Sequence, residues 1–131
     1  MTLRPAPVEL PDLRLRPGPP FGLYLHVPFC LTRCGYCDFN TYTPAELGGV
    51  NPDAWLAALG AELEMAAARL GGPRVDTVFV GGGTPSLLGG ERMRLMLDAV
   101  RSTFGLAPGA EVSTEANPES TSPEFFDEIR A

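Results

Sequence analysis

The sequence contains no apolar stretch approaching the roughly 20 residues of a membrane-spanning helix. It has no secretory-type apolar core near its start, so a cytoplasmic location is the expectation. Positive charge is in deficit: 10 Lys plus Arg stand against 16 Asp plus Glu, a formal net charge of −6. No basic stripe offsets that deficit, which argues against a nucleic-acid surface. Histidine is represented by His26 alone, and no segment repeats in the manner of a solenoid. Cysteine is scarce but concentrated, its three copies (Cys30, Cys34, Cys37) falling within eight residues. An odd number at C-x-x-x-C-x-x-C spacing cannot form a closed disulfide framework, and such clustering points to a metal or redox site. Small buried thiols are the bland alternative, and three in one turn-rich loop make it a poor one.

What is present describes a globular core former. The 131 residues are 44% hydrophobic and 20% charged, enough for one small domain. Glycine (15) and proline (14) are frequent and act as punctuation. Residues 1–20 hold six prolines and read as an extended lead-in, leaving 21–131 as the folded part. Gly22 to Val27 reads as a strand ended by Pro28. A helix is predicted to begin at Pro52 with Asn51 as its N-cap, carrying a stripe of Trp55, Leu59, Leu63, Ala66 and Leu70. Gly71-Gly72 stops it. Val75 to Val80 is a second strand, followed by the breaker Gly81-Gly82-Gly83-Thr84-Pro85. Met93, Met96, Leu97, Val100 and Phe104 form a second helical stripe closed by Gly105. Glu111 to Thr114 is a weaker third strand, and Ser122-Pro123 opens a third helix with Phe125, Phe126 and Ile129. Strand and helix alternate three times, which implies an α/β fold with a parallel sheet and right-handed crossovers. Three βα units are fewer than a barrel of ~250 residues contains. The expectation is therefore an N-terminal piece of a longer protein.

In such a sheet the loops after the strands gather at its carboxyl edge, where ligands bind. The cysteine loop, the glycine loop and Glu115-Ala116-Asn117-Pro118 occupy those three positions, so they are expected to build one site. Three thiolates on a short loop can hold three irons of a 4Fe–4S cluster and leave the fourth open. Zinc is the competing metal, and His26 is the one histidine that could complete its set. The segment from Val80 to Ser86 lacks the Gly-Lys-Ser/Thr ending of a P-loop. It also matches the dinucleotide fingerprint poorly: its nearest acid at a suitable distance, Asp98, falls in a predicted helix rather than at a strand end. Consecutive glycines do let backbone approach a ligand closely and donate N–H groups, and a plain strand-to-helix turn fits them equally well. Glu115 alone reads as a solvated strand-end acid. Tyr24 and His26 share one face of the first strand.

Taken together, Tyr24-Leu25-His26-Val27-Pro28-Phe29-Cys30, Cys34-Gly35-Tyr36-Cys37-Asp38-Phe39 and Gly81 to Pro85 resemble the radical S-adenosylmethionine (radical SAM) superfamily. Within it, the chain is most similar to the oxygen-independent coproporphyrinogen III oxidases and their heme-chaperone relatives. The resemblance covers residues 21–131 and implies the N-terminal part of a radical SAM (β/α) partial barrel. It implies that Cys30, Cys34 and Cys37 ligate a 4Fe–4S cluster whose unique iron is chelated by the amino and carboxylate groups of S-adenosylmethionine. An electron from the reduced cluster would split the sulfonium to methionine and a 5′-deoxyadenosyl radical. Tyr24, Tyr36, Gly82, Gly83, Thr84 and Glu115 match residues contacting S-adenosylmethionine, with the Gly82-Gly83 backbone at the methionyl amino group. His26 matches a histidine beside the cluster, its role open between structure and proton supply. The oxidases carry a further cysteine two residues after the third, where this chain has Phe39, and Asp38-Phe39 resembles the chaperone branch. The implied partners are heme or a porphyrinogen, a low-potential electron donor protein and a heme-acceptor protein. An oxidase decarboxylating the propionates of coproporphyrinogen III is the alternative.

Overall fold

The computed structural model describes Leu15 and residues 18–130, so most of the proline-rich lead-in lies outside the described residues. Strand β1 (Gly22–Val27) is followed by the cysteine loop and helix α1 (Pro52–Leu70). Strand β2 (Val75–Gly82), a 3-10 turn at Pro85–Leu88 and helix α2 (Gly89–Thr103) come next. Strand β3 (Leu106–Thr114), a 3-10 turn at Pro118–Ser120 and helix α3 (Pro123–Arg130) complete the described chain. The three strands pair in the order β1-β2-β3, both pairings parallel, which is the expected α/β architecture.

Local chemistry sets the boundaries. The Asn51 side chain accepts from Ala54 N–H at 2.9 Å, and Pro52 occupies the first helical position. At the other end Gly71 adopts φ 75°, the left-handed conformation that lets its N–H return to Ala67 carbonyl. Two strands run further than the sequence suggests. Strand β2 continues through Gly81 and Gly82, because Val27 of β1 still pairs with Gly82. Strand β3 begins at Leu106, its first half concealed by Pro108 and Gly109. The register jumps there, from Val75↔Leu106 to Thr77↔Glu111. A proline without a donor and a glycine at φ 76° suit such an irregularity.

The helices cover one face of the sheet. Leu25 and Val27 of β1 and Val75, Val78 and Val80 of β2 pack against Leu63 of α1 and Met93, Met96 and Val100 of α2. Both predicted helical stripes lie in this core or at its margin. Helix α3 contributes Phe125 and rests on the start of α2, where Gly90 leaves room for Glu128. Tyr24, Thr77, Phe79 and Glu111 alternate with the core residues and point to the opposite, exposed face. Among the described residues no helix is long and apolar enough to cross a membrane.

Candidate functional site at the carboxyl edge of the sheet

A cavity of about 520 Å³ opens at the carboxyl edge. The cysteine loop lines it with Cys30, Cys34, Tyr36 and Cys37, the glycine loop with Gly82, Gly83 and Thr84, and the segment after β3 with Glu115 to Ser120. The three segments that the sequence placed at one edge thus meet. Tyr36 stands 92% exposed at the rim. Tyr24 and His26 do not line this cavity; they sit behind it on β1.

The cysteine loop is tied at its base. Cys30 N–H donates to Tyr42 carbonyl at 3.0 Å, and Tyr42 N–H donates to Pro28 carbonyl at 2.7 Å. These two bonds form a parallel bridge between Phe29 and Tyr42, a stem from which residues 30–41 project. Within the loop, the Arg33 guanidinium donates to Thr41 carbonyl at 2.7 Å and to the Glu46 carboxylate. Glu46 also accepts the backbone N–H and hydroxyl of Thr43, a helix-start arrangement confined to one turn. The Thr43 hydrogen bonds, foremost the backbone one, and then Arg33 hold the Glu46 carboxyl below its ordinary range.

His26 works as a strut. Its Nε2 lies 2.8 Å from Asn40 carbonyl, and its Nδ1 lies 3.0 Å from the Tyr24 hydroxyl. A carbonyl only accepts, so Nε2 carries the proton and Nδ1 accepts from Tyr24. Both ring nitrogens are therefore engaged, and His26 does not complete a zinc set. Nor do three His, Cys, Asp or Glu side chains converge on one point among the described residues.

The glycine loop spends its N–H groups within the protein. Gly82 N–H donates to Glu115 Oε2 at 3.0 Å, Gly83 N–H to Val27 carbonyl at 2.8 Å, and Thr84 N–H to Phe29 carbonyl at 2.7 Å. All three donors are spent inside the protein, so the loop is no anion cradle. Its carbonyls, each with two lone pairs, are what it can turn toward an ammonium group. The glycines are required by protein rather than by ligand. A Cβ on Gly82, at φ 120°, would meet Val27 carbonyl at 2.6 Å and the His26 ring at 2.9 Å. One on Gly83 would strike Phe29 carbonyl and lie 2.8 Å from Cys30 Sγ. Close crossing of the two loops demands small residues here.

A residue matching family model settles the kinship: radical SAM superfamily, over residues 24–131. The chain belongs to the radical SAM superfamily. It is 75% identical over 131 residues to the heme chaperone HemW of Mycobacterium tuberculosis strain H37Rv, covering all of this chain and 34% of that protein. HemW of Escherichia coli K12 is 44% identical over 108 residues, covering 82% and 28%. Among solved structures, coproporphyrinogen III oxidase (HemN) from Escherichia coli, a radical SAM enzyme, superposes with a TM-score of 0.75 at 30% identity, covering 85% of this chain and 25% of that one. The chain spans about a third of the length of the curated relatives it matches. Membership in the radical SAM superfamily implies a 4Fe–4S cluster and S-adenosylmethionine.

Three residues that brace the segments around this cavity carry roles the sequence reading did not give them. Phe79 stacks on Tyr24 with ring centroids 6.1 Å apart, and both rings close on Gly81 beside the Glu115 carboxylate. Its pairing with Tyr24 across the β1–β2 register was the signal that could have found it. Ser86 is 3% exposed, and its hydroxyl accepts Asn117 N–H at 3.0 Å and meets the Ser120 hydroxyl at 2.6 Å. It joins the glycine loop to the segment after β3. Thr41, 2% exposed, lies under the cysteine loop, and nothing in its local sequence marks it.

Proposed function

We propose that this chain is the N-terminal portion of a heme chaperone that carries a 4Fe–4S cluster on Cys30, Cys34 and Cys37 and binds S-adenosylmethionine beside it. The observation that carries the reading is the 75% identity to a heme chaperone along the entire chain. The local chemistry is consistent with the cofactors. All three cysteines are free thiols on a loop closed at its stem. A mononuclear zinc site needs ligands converging on one ion, whereas a cubane takes its thiolates on separate irons. When bound, the cluster supplies one-electron reduction of a sulfonium.

The residues around the cavity have distinct tasks in this reading. Gly82 and Gly83 offer carbonyls to the methionyl ammonium, since their N–H groups are occupied. Glu115 keeps Oε1 available while Oε2 holds Gly82 N–H. Thr84 and Tyr36 flank the ligand from the cavity wall and rim, and Tyr24 with His26 braces the loop from behind. Heme is the cargo, passed to an acceptor protein, and a low-potential protein supplies electrons. With His26 doubly engaged and the one histidine among these 131 residues, a histidine ligand for heme would have to come from elsewhere. The location is proposed as cytoplasmic.

The structural likeness to coproporphyrinogen III oxidase supports a second reading, propionate decarboxylation in porphyrin synthesis. Phe39, at the cavity wall, weighs against it: a phenyl ring neither ligates iron nor moves a proton. The test uses full-length protein, reconstituted and kept anaerobic, with S-adenosylmethionine, a reductant and coproporphyrinogen III. Stable heme binding and transfer to an apo-acceptor without turnover support the chaperone. Steady divinyl product overturns it in favour of the oxidase.

A further inference from the structure

The Thr41 hydroxyl lies 3.7 Å from Cys37 Sγ, within hydrogen-bond range for sulfur. It is one of two buried polar side chains in the described fold, and no buried side-chain nitrogen or oxygen there is left without a partner. The sulfur is the partner recorded for that hydroxyl. A metal-bound thiolate has no proton to give, so in that state the hydroxyl must be the donor. The main chain of Thr41 is held on both sides. Thr41 N–H donates to Phe39 carbonyl at 2.8 Å, Thr41 carbonyl accepts from Arg33, and Tyr42 is locked into the stem. The hydroxyl is therefore positioned beside the sulfur before any ligand arrives.

We infer that Thr41 is a redox-positioning residue, its hydroxyl donating to the Cys37 thiolate so as to raise the reduction potential of the cluster held there. This rests on the cluster assignment proposed above. The physical ground is charge. Reduction adds an electron that is shared onto the sulfur ligands, and a donor aimed at one sulfur stabilises the more negative state. Hydrogen bonds to cluster sulfurs are among the factors that set such potentials. The site is asymmetric: among the described residues, Cys37 is the cysteine whose sulfur meets a side-chain hydroxyl. The Arg33 guanidinium on Thr41 carbonyl adds positive charge to the same side of the loop.

The test compares full-length wild type with T41V, T41S and T41A after anaerobic reconstitution. Iron and sulfide are measured first, and a wild type holding neither overturns the cluster assignment and this inference with it. Midpoint potentials then come from dithionite titration followed by EPR. T41V keeps the shape and loses the donor, so its midpoint is expected to shift negative, while T41S stays near wild type. An exchangeable-proton hyperfine coupling should be present in wild type and T41S and lost in T41V. If T41V does not assemble a cluster, T41S and T41A carry the comparison, since both lose the methyl group and T41A also loses the hydroxyl. Equal midpoints for wild type and T41V, or for T41S and T41A, show that Thr41 only packs and refute the inference.

Discussion

Replacing Gly83 by alanine adds one methyl group where the glycine loop crosses the chain leading into Cys30. That carbon would strike Phe29 carbonyl and stand 2.8 Å from Cys30 Sγ and 2.9 Å from Phe29 carbonyl carbon, where ordinary contact begins at 3.4 Å. Two of the three atoms are backbone and cannot swing aside. The backbone they belong to is the strand of chain that delivers Cys30. Overpacking of this kind costs about 1–3 kcal/mol, a fraction of the 5–15 kcal/mol typical of a folded protein, so the fold should survive. Metal ligation is less forgiving, with tolerances of about 0.2 Å against a mismatch several times larger. Iron loading should therefore suffer far more than stability. The assay pairs denaturant unfolding with iron and sulfide analysis after anaerobic reconstitution of the full-length protein. Unfolding free energy is expected to fall by about 1–3 kcal/mol, and iron content to well under half of wild type. Gly35→Ala is the control, since a Cβ there meets nothing within 4 Å. A G83A protein loading iron as fully as G35A would refute the reasoning.

Three further outcomes follow from the same contacts. Ser86→Ala removes the acceptor of Asn117 N–H and should weaken S-adenosylmethionine binding several-fold by calorimetry, at about 1 kcal/mol in stability, with iron content unchanged. Asn51→Ala deletes the cap of α1 and should cost about 1 kcal/mol in denaturant unfolding, without touching the cysteine loop. Glu46 titrates below its ordinary value of 4.5 in the folded chain, so its contribution is present above that value and disappears as pH falls through the folded one. In the metal-free protein, Glu46→Gln should speed hydrogen exchange of the loop near neutrality, and the difference from wild type should vanish in acid. A difference that persists well below pH 4.5 would count against the Thr43–Glu46–Arg33 arrangement.

Much of this architecture is legible in the sequence because it rests on local chemistry. Asn51-Pro52, Gly71-Gly72 and the spacing from Trp55 to Leu70 announce α1 without tertiary information. The alternation of strands and helices likewise brings three loops to one edge, and the cavity there bears out the expected meeting. What stayed hidden is long-range. The first half of β3 is absent from the sequence reading because Pro108 and Gly109 are locally turn residues, and only pairing with β2 makes it a strand. The glycine loop reads equally as a donor of N–H groups or as a plain turn, because sequence does not reveal that Glu115, Val27 and Phe29 consume those groups. Ser86 and Thr41 are ordinary residues until the fold buries their hydroxyls beside Asn117 and Cys37.

The stem formed by Phe29 and Tyr42 bears on how the cysteine segment could be assembled and exchanged. It is made by main-chain groups alone, which nearly any residue supplies, so the side chains between its ends are free to differ. Closing a loop of about a dozen residues costs on the order of 2 kcal/mol in chain entropy. Here that cost is met as the polypeptide folds, and iron arriving later would find the ends already joined. The segment from Pro28 to Tyr42 is in that sense a cassette. Grafted between homologous frameworks that keep the two stem bonds, it should carry its metal-binding character with it. Extra residues should be better tolerated at Gly48-Gly49, in the exposed stretch just before α1, than anywhere inside the cassette.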